Sequence, residues 1–146
     1  MKQRIPNFDD FNIYEGKKTE VEYQSKIDKN YTVSIVYPDS DMYWQIEMII
    51  PGEGLAVTDV RQKMMVLDGG KIDRQKLTKD HILAIEMHEI MHHWLKHKGK
   101  FGIVEQEKEA DYASIIWGEK NGFIKPAKIL RNHSIIHTPV VIARIT

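Results

Sequence analysis

Two histidines and a glutamate in the run His88-Glu89-Ile90-Met91-His92 have the types and spacing of a metal-activated hydrolytic centre. Residues four apart on a helix stand one above the other, so both imidazoles can reach a single ion. Glu89 lies between them, close enough to act on a water that the ion activates. HExxH on a helix is the arrangement in which two histidines bind zinc and the glutamate serves as general base. Zinc lowers the pKa of its water from ~15.7 towards ~7, where a neighbouring carboxylate can accept the proton.

The surrounding helix decides whether the histidines face inward. At about 100° per residue, Lys79, Glu86 and His93 form a polar stripe with Lys96 and His97 beside it, and this stripe is assigned to solvent. His88 and His92 then fall roughly 200° and 240° from Glu86, on the face turned to the protein. Inward imidazoles need partners. A metal supplies them; two core histidines held by ordinary hydrogen bonds are the plainer alternative.

A tetrahedral catalytic site needs a third protein ligand. A second helical segment carries Glu105, Glu107, Glu109 and Asp111. Glu107, Ala110, Asp111, Ser114 and Gly118 share one face, which apart from the two acids is made of small residues that allow another helix close. Glu105, Lys108, Glu109 and Glu119 lie on the other side and read as solvated charge. Glu107 is therefore the expected third ligand. Asp111, one turn on, can hydrogen-bond the remaining N–H of a ligating histidine and fix its tautomer.

HEIMH at 88–92 followed by EKEAD at 107–111 resembles the gluzincin zinc metallopeptidases, the thermolysin-like clan in its broad sense. It is also similar to minimal single-domain gluzincins and to the ImmA/IrrE-type peptidases, over the stretch from Lys79 to Gly122. The resemblance implies Zn2+ held by His88, His92 and Glu107, with Glu89 as base, Asp111 behind the ligands, and a zincin-like fold. Two features depart from the family. Glu86 stands where zincin helices usually carry an uncharged residue, and no helix is evident before the sheet. A weaker similarity to SprT-type zincins, in the run from His92 to Phe101, offers His97 as an alternative third ligand. On an unbroken helix His97 points about 140° away from His92, so it turns inward only if the helix ends before Lys96.

The elements that must position these residues follow from the rest of the chain. Residues 1–18 are polar and irregular and read as a loosely held arm, leaving 19–146 as one domain. From Thr19 the texture alternates, and Asp28-Lys29-Asn30 separates two β-rich runs, the second being Tyr31–Tyr37, which predicts a hairpin. Met42–Ile50 (MYWQIEMII) reads as a third strand and Leu55–Leu67 as one or two more, with Asp68-Gly69-Gly70 breaking the chain. Thr78 is placed to cap a helix from about Lys79 to Lys98, stopped by Gly99. A second helix spans about Val104 to Lys120, stopped by Asn121-Gly122, and the apolar tail 140–145 (VVIARI) predicts a last strand. The expected class is α+β, with a small antiparallel or mixed sheet packed on the HExxH and ExxAD helices.

Composition narrows the chemistry further. The 146 residues are 42% hydrophobic and 29% charged, enough to bury a core. With no cysteine, disulfides, thiol catalysis and Cys-based zinc fingers are excluded, so any metal must be held by His, Asp or Glu. Lys+Arg and Asp+Glu both total 21, which gives no basis for a nucleic-acid surface. No apolar run is long enough to cross a membrane, and the start lacks a secretory pattern, so a cytoplasmic location is the expectation.

Met87, Met91, Trp94 and Trp117 are expected in the core, His81 in a structural role and His93 at the surface. Tyr43, His133 and His137 are candidates for stabilising an oxyanion, whereas Tyr112 is on the wrong face of its helix. The expected function is a zinc-dependent peptidase acting on a peptide or protein that lies along an edge strand within Leu55–Leu67. The alternative is a zinc-binding regulatory or interaction module whose hydrolytic activity is weak or masked by the C-terminal strand. A third possibility is an ordinary binding protein with an accidental HExxH. Oligomeric state is open.

Overall fold

The computed structural model describes residues 19–50, 52, 54–59, 61–97, 104–132 and 144–145. In chain order these form β1 (Glu20–Gln24), β2 (Thr32–Val36), α1 (Tyr43–Ile49), β3 (Ala56–Asp59), β4 (Met64–Asp68), α2 (Gly69–Gln75), α3 (Lys79–Trp94), α4 (Val104–Lys120), α5 (Ile124–Asn132) and β5 (Arg144–Ile145). The class is α+β with a mixed sheet ordered β1-β2-β4-β3-β5. β1 and β2 form the expected antiparallel hairpin, and β3 and β4 a second one. The hairpins join through a parallel pairing of β2 with β4. β5 adds to β3 in parallel, opposing Arg144 to Thr58 and Ile145 to Asp59.

Alternation along the strands sorts the apolar residues onto two faces. Val33 and Ile35 of β2, and Met65 and Leu67 of β4, meet Ile82, Ile85, Met87 and Ile90 of α3 in the main core, which Ile115 and Leu130 extend into α4 and α5. Val36 and Val57 point to the opposite face and pack with Ile46 and Ile50 around α1. α3 thus lies between the sheet and the α4–α5 pair.

Three elements differ from expectation. Met42–Ile50 is not a strand: Tyr43–Ile49 is helical, with Ile46 and Ile50 buried one turn apart and Trp44, Glu47, Met48 and Ile49 exposed. A short apolar run fits either period, and here only the i, i+4 pair finds a core to face. Asp68-Gly69-Gly70 ends the strand run as expected but also starts α2, a helix the sequence did not announce, which is capped by Asp68 accepting from Lys71 N–H at 3.0 Å. Both glycines are needed for space, because a Cβ on Gly69 would stand 2.5 Å from the Tyr37 ring and one on Gly70 would strike the Tyr43 hydroxyl. The segment after Gly122 forms α5, and Pro126 fits within its first turn, where its missing N–H has no helical partner to lose.

α3 also ends earlier than Lys98. Lys96 adopts φ 58°, its N–H bonds the His93 carbonyl at 2.9 Å, and the His97 N–H bonds the His92 carbonyl at 2.9 Å. This is a Schellman-type end built on lysine rather than glycine. The arm over 1–18, the Gly99 stop and the tail histidines His133 and His137 lie outside the described residues. Among the described residues no helix is long and apolar enough to cross a membrane.

Candidate metal centre

α3 begins at a reciprocal cap. The Thr78 side chain accepts the His81 N–H, and His81 Nδ1 accepts the Thr78 N–H, so His81 is structural as expected. From Ala84 to His92 every residue of α3 is buried. Glu86 is among them, contrary to its assignment to solvent: it is 0% exposed and accepts hydrogen bonds from Tyr23 Oη and Ser25 Oγ, both at 2.7 Å. Angular position locates a stripe but not water, and on a helix covered on two sides the polar stripe faces β1 and the chain just beyond it. Burial raises the Glu86 carboxyl to about 7 even though Ser25 and Tyr23 favour its charged form.

The small face of α4 lies against α3. Ala110, Asp111, Ser114, Gly118 and Glu107 are all buried. Ser114 Oγ donates to the Met87 carbonyl at 3.2 Å, and a Cβ on Gly118 would stand 2.8 Å from Met87 Cε. This close approach carries the Glu107 carboxylate to the two histidines. Its Oε2 is 3.0 Å from His88 Nε2, its Oε1 is 2.8 Å from His92 Nε2, and the two Nε2 atoms are 3.1 Å apart.

Buried His88, His92 and Glu107 therefore lie close enough to hold one metal ion. Ligand atoms bound tetrahedrally at 2.0–2.1 Å stand about 3.3 Å from one another, so outward shifts of a few tenths of an ångström would complete the coordination. The donors are imidazole nitrogen and carboxylate oxygen, a set suited to zinc and other first-row divalent ions.

Behind the trio, Asp111 Oδ1 is 2.7 Å from His88 Nδ1. Burial disfavours charge on His88, but the hydrogen bonds to Asp111 and Glu107, with the charge of Glu89 adding, outweigh it and hold its pKa well above the ordinary imidazole value. Glu107 is held below the ordinary carboxylate value, because contacts to His88 and His92 outweigh its own desolvation. Glu89 is 1% exposed on the same helix turn.

His97 does not join the trio. The early end of α3 turns it inward, as the alternative required, but it arrives behind His92: its Nδ1 is 2.8 Å from His92 Nδ1, and its Nε2 is 2.8 Å from Glu109 Oε1. Glu109, read as part of a solvated stripe, is indeed largely exposed yet anchors this contact. His93 is half-buried rather than at the surface, its Nδ1 2.5 Å from the Tyr31 hydroxyl. Trp94 stands at the rim of the core, donating to Asp28 Oδ2 at 3.1 Å and packing edge-on against Trp117.

Tyr43 is committed elsewhere, donating to Asp68 Oδ1 at 2.6 Å beside the start of α2. Tyr112 is exposed, as expected. Sequence reasoning passed over Glu86 with Tyr23 and Ser25, and over the contact of His97 with Glu109. A lysine in the left-handed conformation at the end of α3 gave no glycine-like signal for the second. Compared with protein families, curated proteins and solved structures, the chain matches none.

Proposed function

We propose that the protein is a zinc-dependent peptidase with a zincin-like arrangement, in which His88, His92 and Glu107 hold the metal and Glu89 is the general base. The observation that carries this reading is the convergence of two imidazole Nε2 atoms and one carboxylate within 2.8–3.1 Å, buried and backed by Asp111. A bound zinc would supply a Lewis acid for the scissile carbonyl and acidify water towards pH 7. Glu89 takes the proton of the attacking water and returns it to the leaving amine. Asp111 keeps the His88 proton on Nδ1, leaving Nε2 free to ligate. The test is Glu89→Gln, assayed on unstructured protein substrates: zinc stays bound and cleavage falls by a factor of about 100 or more. Retained cleavage would remove Glu89 from its role.

The pairing of β5 with β3 favours a second reading, a metal-binding module whose edge strand is covered by its own C-terminal residues. An extended peptide seeking the main chain of β3 would meet Arg144 and Ile145 already there. Removing residues from Pro139 onward should then raise cleavage or peptide binding. Unchanged activity on truncation would leave the edge strand without a masking role.

A further inference from the structure

We propose that His97 and Glu109 form a hydrogen-bonded relay that positions His92 from behind, an inference that rests on His92 being a metal ligand. Coordination through His92 Nε2 leaves its proton on Nδ1. That N–H donates to His97 Nδ1 at 2.8 Å. His97 must then carry its own proton on Nε2, and that N–H donates to Glu109 Oε1 at 2.8 Å. The carboxylate accepts at the outer end, so every donor in the row has an acceptor and only one tautomer of each ring satisfies all of them.

The main chain builds the same contact a second time. The His97 N–H bonds the His92 carbonyl at 2.9 Å, and Lys96 turns into the left-handed region to permit it. Lys96 holds this conformation without being glycine, and the turn brings the His97 ring, whose side chain is only 7% exposed, beneath His92. Each ligating histidine thus has its own acid behind it: Asp111 directly on His88, and Glu109 through an intervening imidazole on His92.

The test is zinc affinity by competition with a chromophoric chelator, on the full chain, for wild type, His97→Leu, His97→Asn, Glu109→Gln and Asp111→Asn. His97→Leu should weaken zinc about 10–100-fold. His97→Asn, which keeps an acceptor near the position of Nδ1, should recover most of that loss. Glu109→Gln, a change at an exposed position, should lose less in the same direction. A packing role would rank the variants the other way, since leucine fills the site better than the smaller asparagine. In nitrogen-edited NMR of the zinc-loaded protein, the His92 Nδ1 proton should persist in wild type and His97→Asn and vanish in His97→Leu. His97→Leu binding zinc within about twofold of wild type while Asp111→Asn is weakened would overturn the relay alone. Wild type failing to bind zinc would instead remove the metal reading beneath it, and the relay with it.

Discussion

Asp111 Oδ1 stands 2.7 Å from His88 Nδ1, on the side of the ring away from Glu107. One imidazole therefore faces two carboxylates through its two nitrogens, one placed to share a metal with it and one to orient it. Both acids come from a single face of α4, which reaches α3 because Ala110, Ser114 and Gly118 beside them on that face are small and buried.

From this follows the effect of Asp111→Asn. The amide oxygen still accepts the Nδ1 proton, but the charge that strengthens His88 as a ligand is gone. Zinc affinity should fall about tenfold, at the lower end of the range for such partners. Competition with a chelator measures it, and an unchanged affinity would show that Asp111 serves only packing.

Helix spacing gives a second prediction. Valine at 118 would gain at most about 0.5 kcal/mol of helix propensity over glycine, because its β-branch gives up part of the benefit alanine would have. It would also meet Met87 Cε at 2.8 Å and the Phe123 carbonyl at 3.3 Å. Overpacking of this kind costs about 1–3 kcal/mol, so it outweighs propensity. Gly118→Val should lower the denaturation midpoint and weaken zinc binding together, because widening the α3–α4 gap withdraws Glu107.

Buried Glu86 makes stability depend on pH. Its folded pKa of about 7 lies above its ordinary value of 4.5, so the folded chain holds the proton more tightly than the unfolded one. The resulting stability is full below about pH 4.5 and declines as pH rises towards 7, by on the order of 3 kcal/mol. Glu86→Gln keeps a group able to bond Tyr23 and Ser25 without acquiring charge. Chemical denaturation of the zinc-loaded protein should show the variant gaining on wild type between pH 5 and pH 8. A constant difference across that range would contradict a buried, titrating carboxyl.

Protons and metal compete at the same atoms. His88 is held above its ordinary pKa of 6.5, so the metal-free chain draws stability from its protonated form, fully present below about pH 6.5 and lost as pH rises. Glu107 is held below 4.5, so its contribution is present above about pH 4.5 and lost as pH falls. With chelator present, thermal unfolding should therefore peak between these values. Zinc must displace the His88 proton, so its affinity should rise about tenfold per pH unit for each proton released. A flat profile would place the binding site elsewhere.

Much of the site could be read from residue spacing because it depends on short-range periodicity. His88 and His92 are one turn apart, and Glu107, Asp111, Ser114 and Gly118 repeat at helical intervals, so α4 and its inward face follow from the pattern alone. Where tertiary placement decided the outcome, the pattern was insufficient. MYWQIEMII has the apolar content of a strand, yet it lies on a sheet face that could bury only Ile46 and Ile50. Glu86 shares a stripe with Lys79, but β1 and Ser25 cover that stripe at its centre. Where α3 ends could not be fixed from spacing, because the left-handed turn falls on Lys96, a residue type with no special preference for it, so the early end stood only as the condition for His97 to turn inward.

The most direct test of the metal centre is elemental mass spectrometry of purified, dialysed protein, with wild type and Glu107→Gln side by side. About one zinc per chain in wild type, lost or sharply reduced in the variant, is the predicted result. A wild-type chain that holds no metal even after zinc is added back, or a variant that retains it fully, would contradict a centre built from His88, His92 and Glu107.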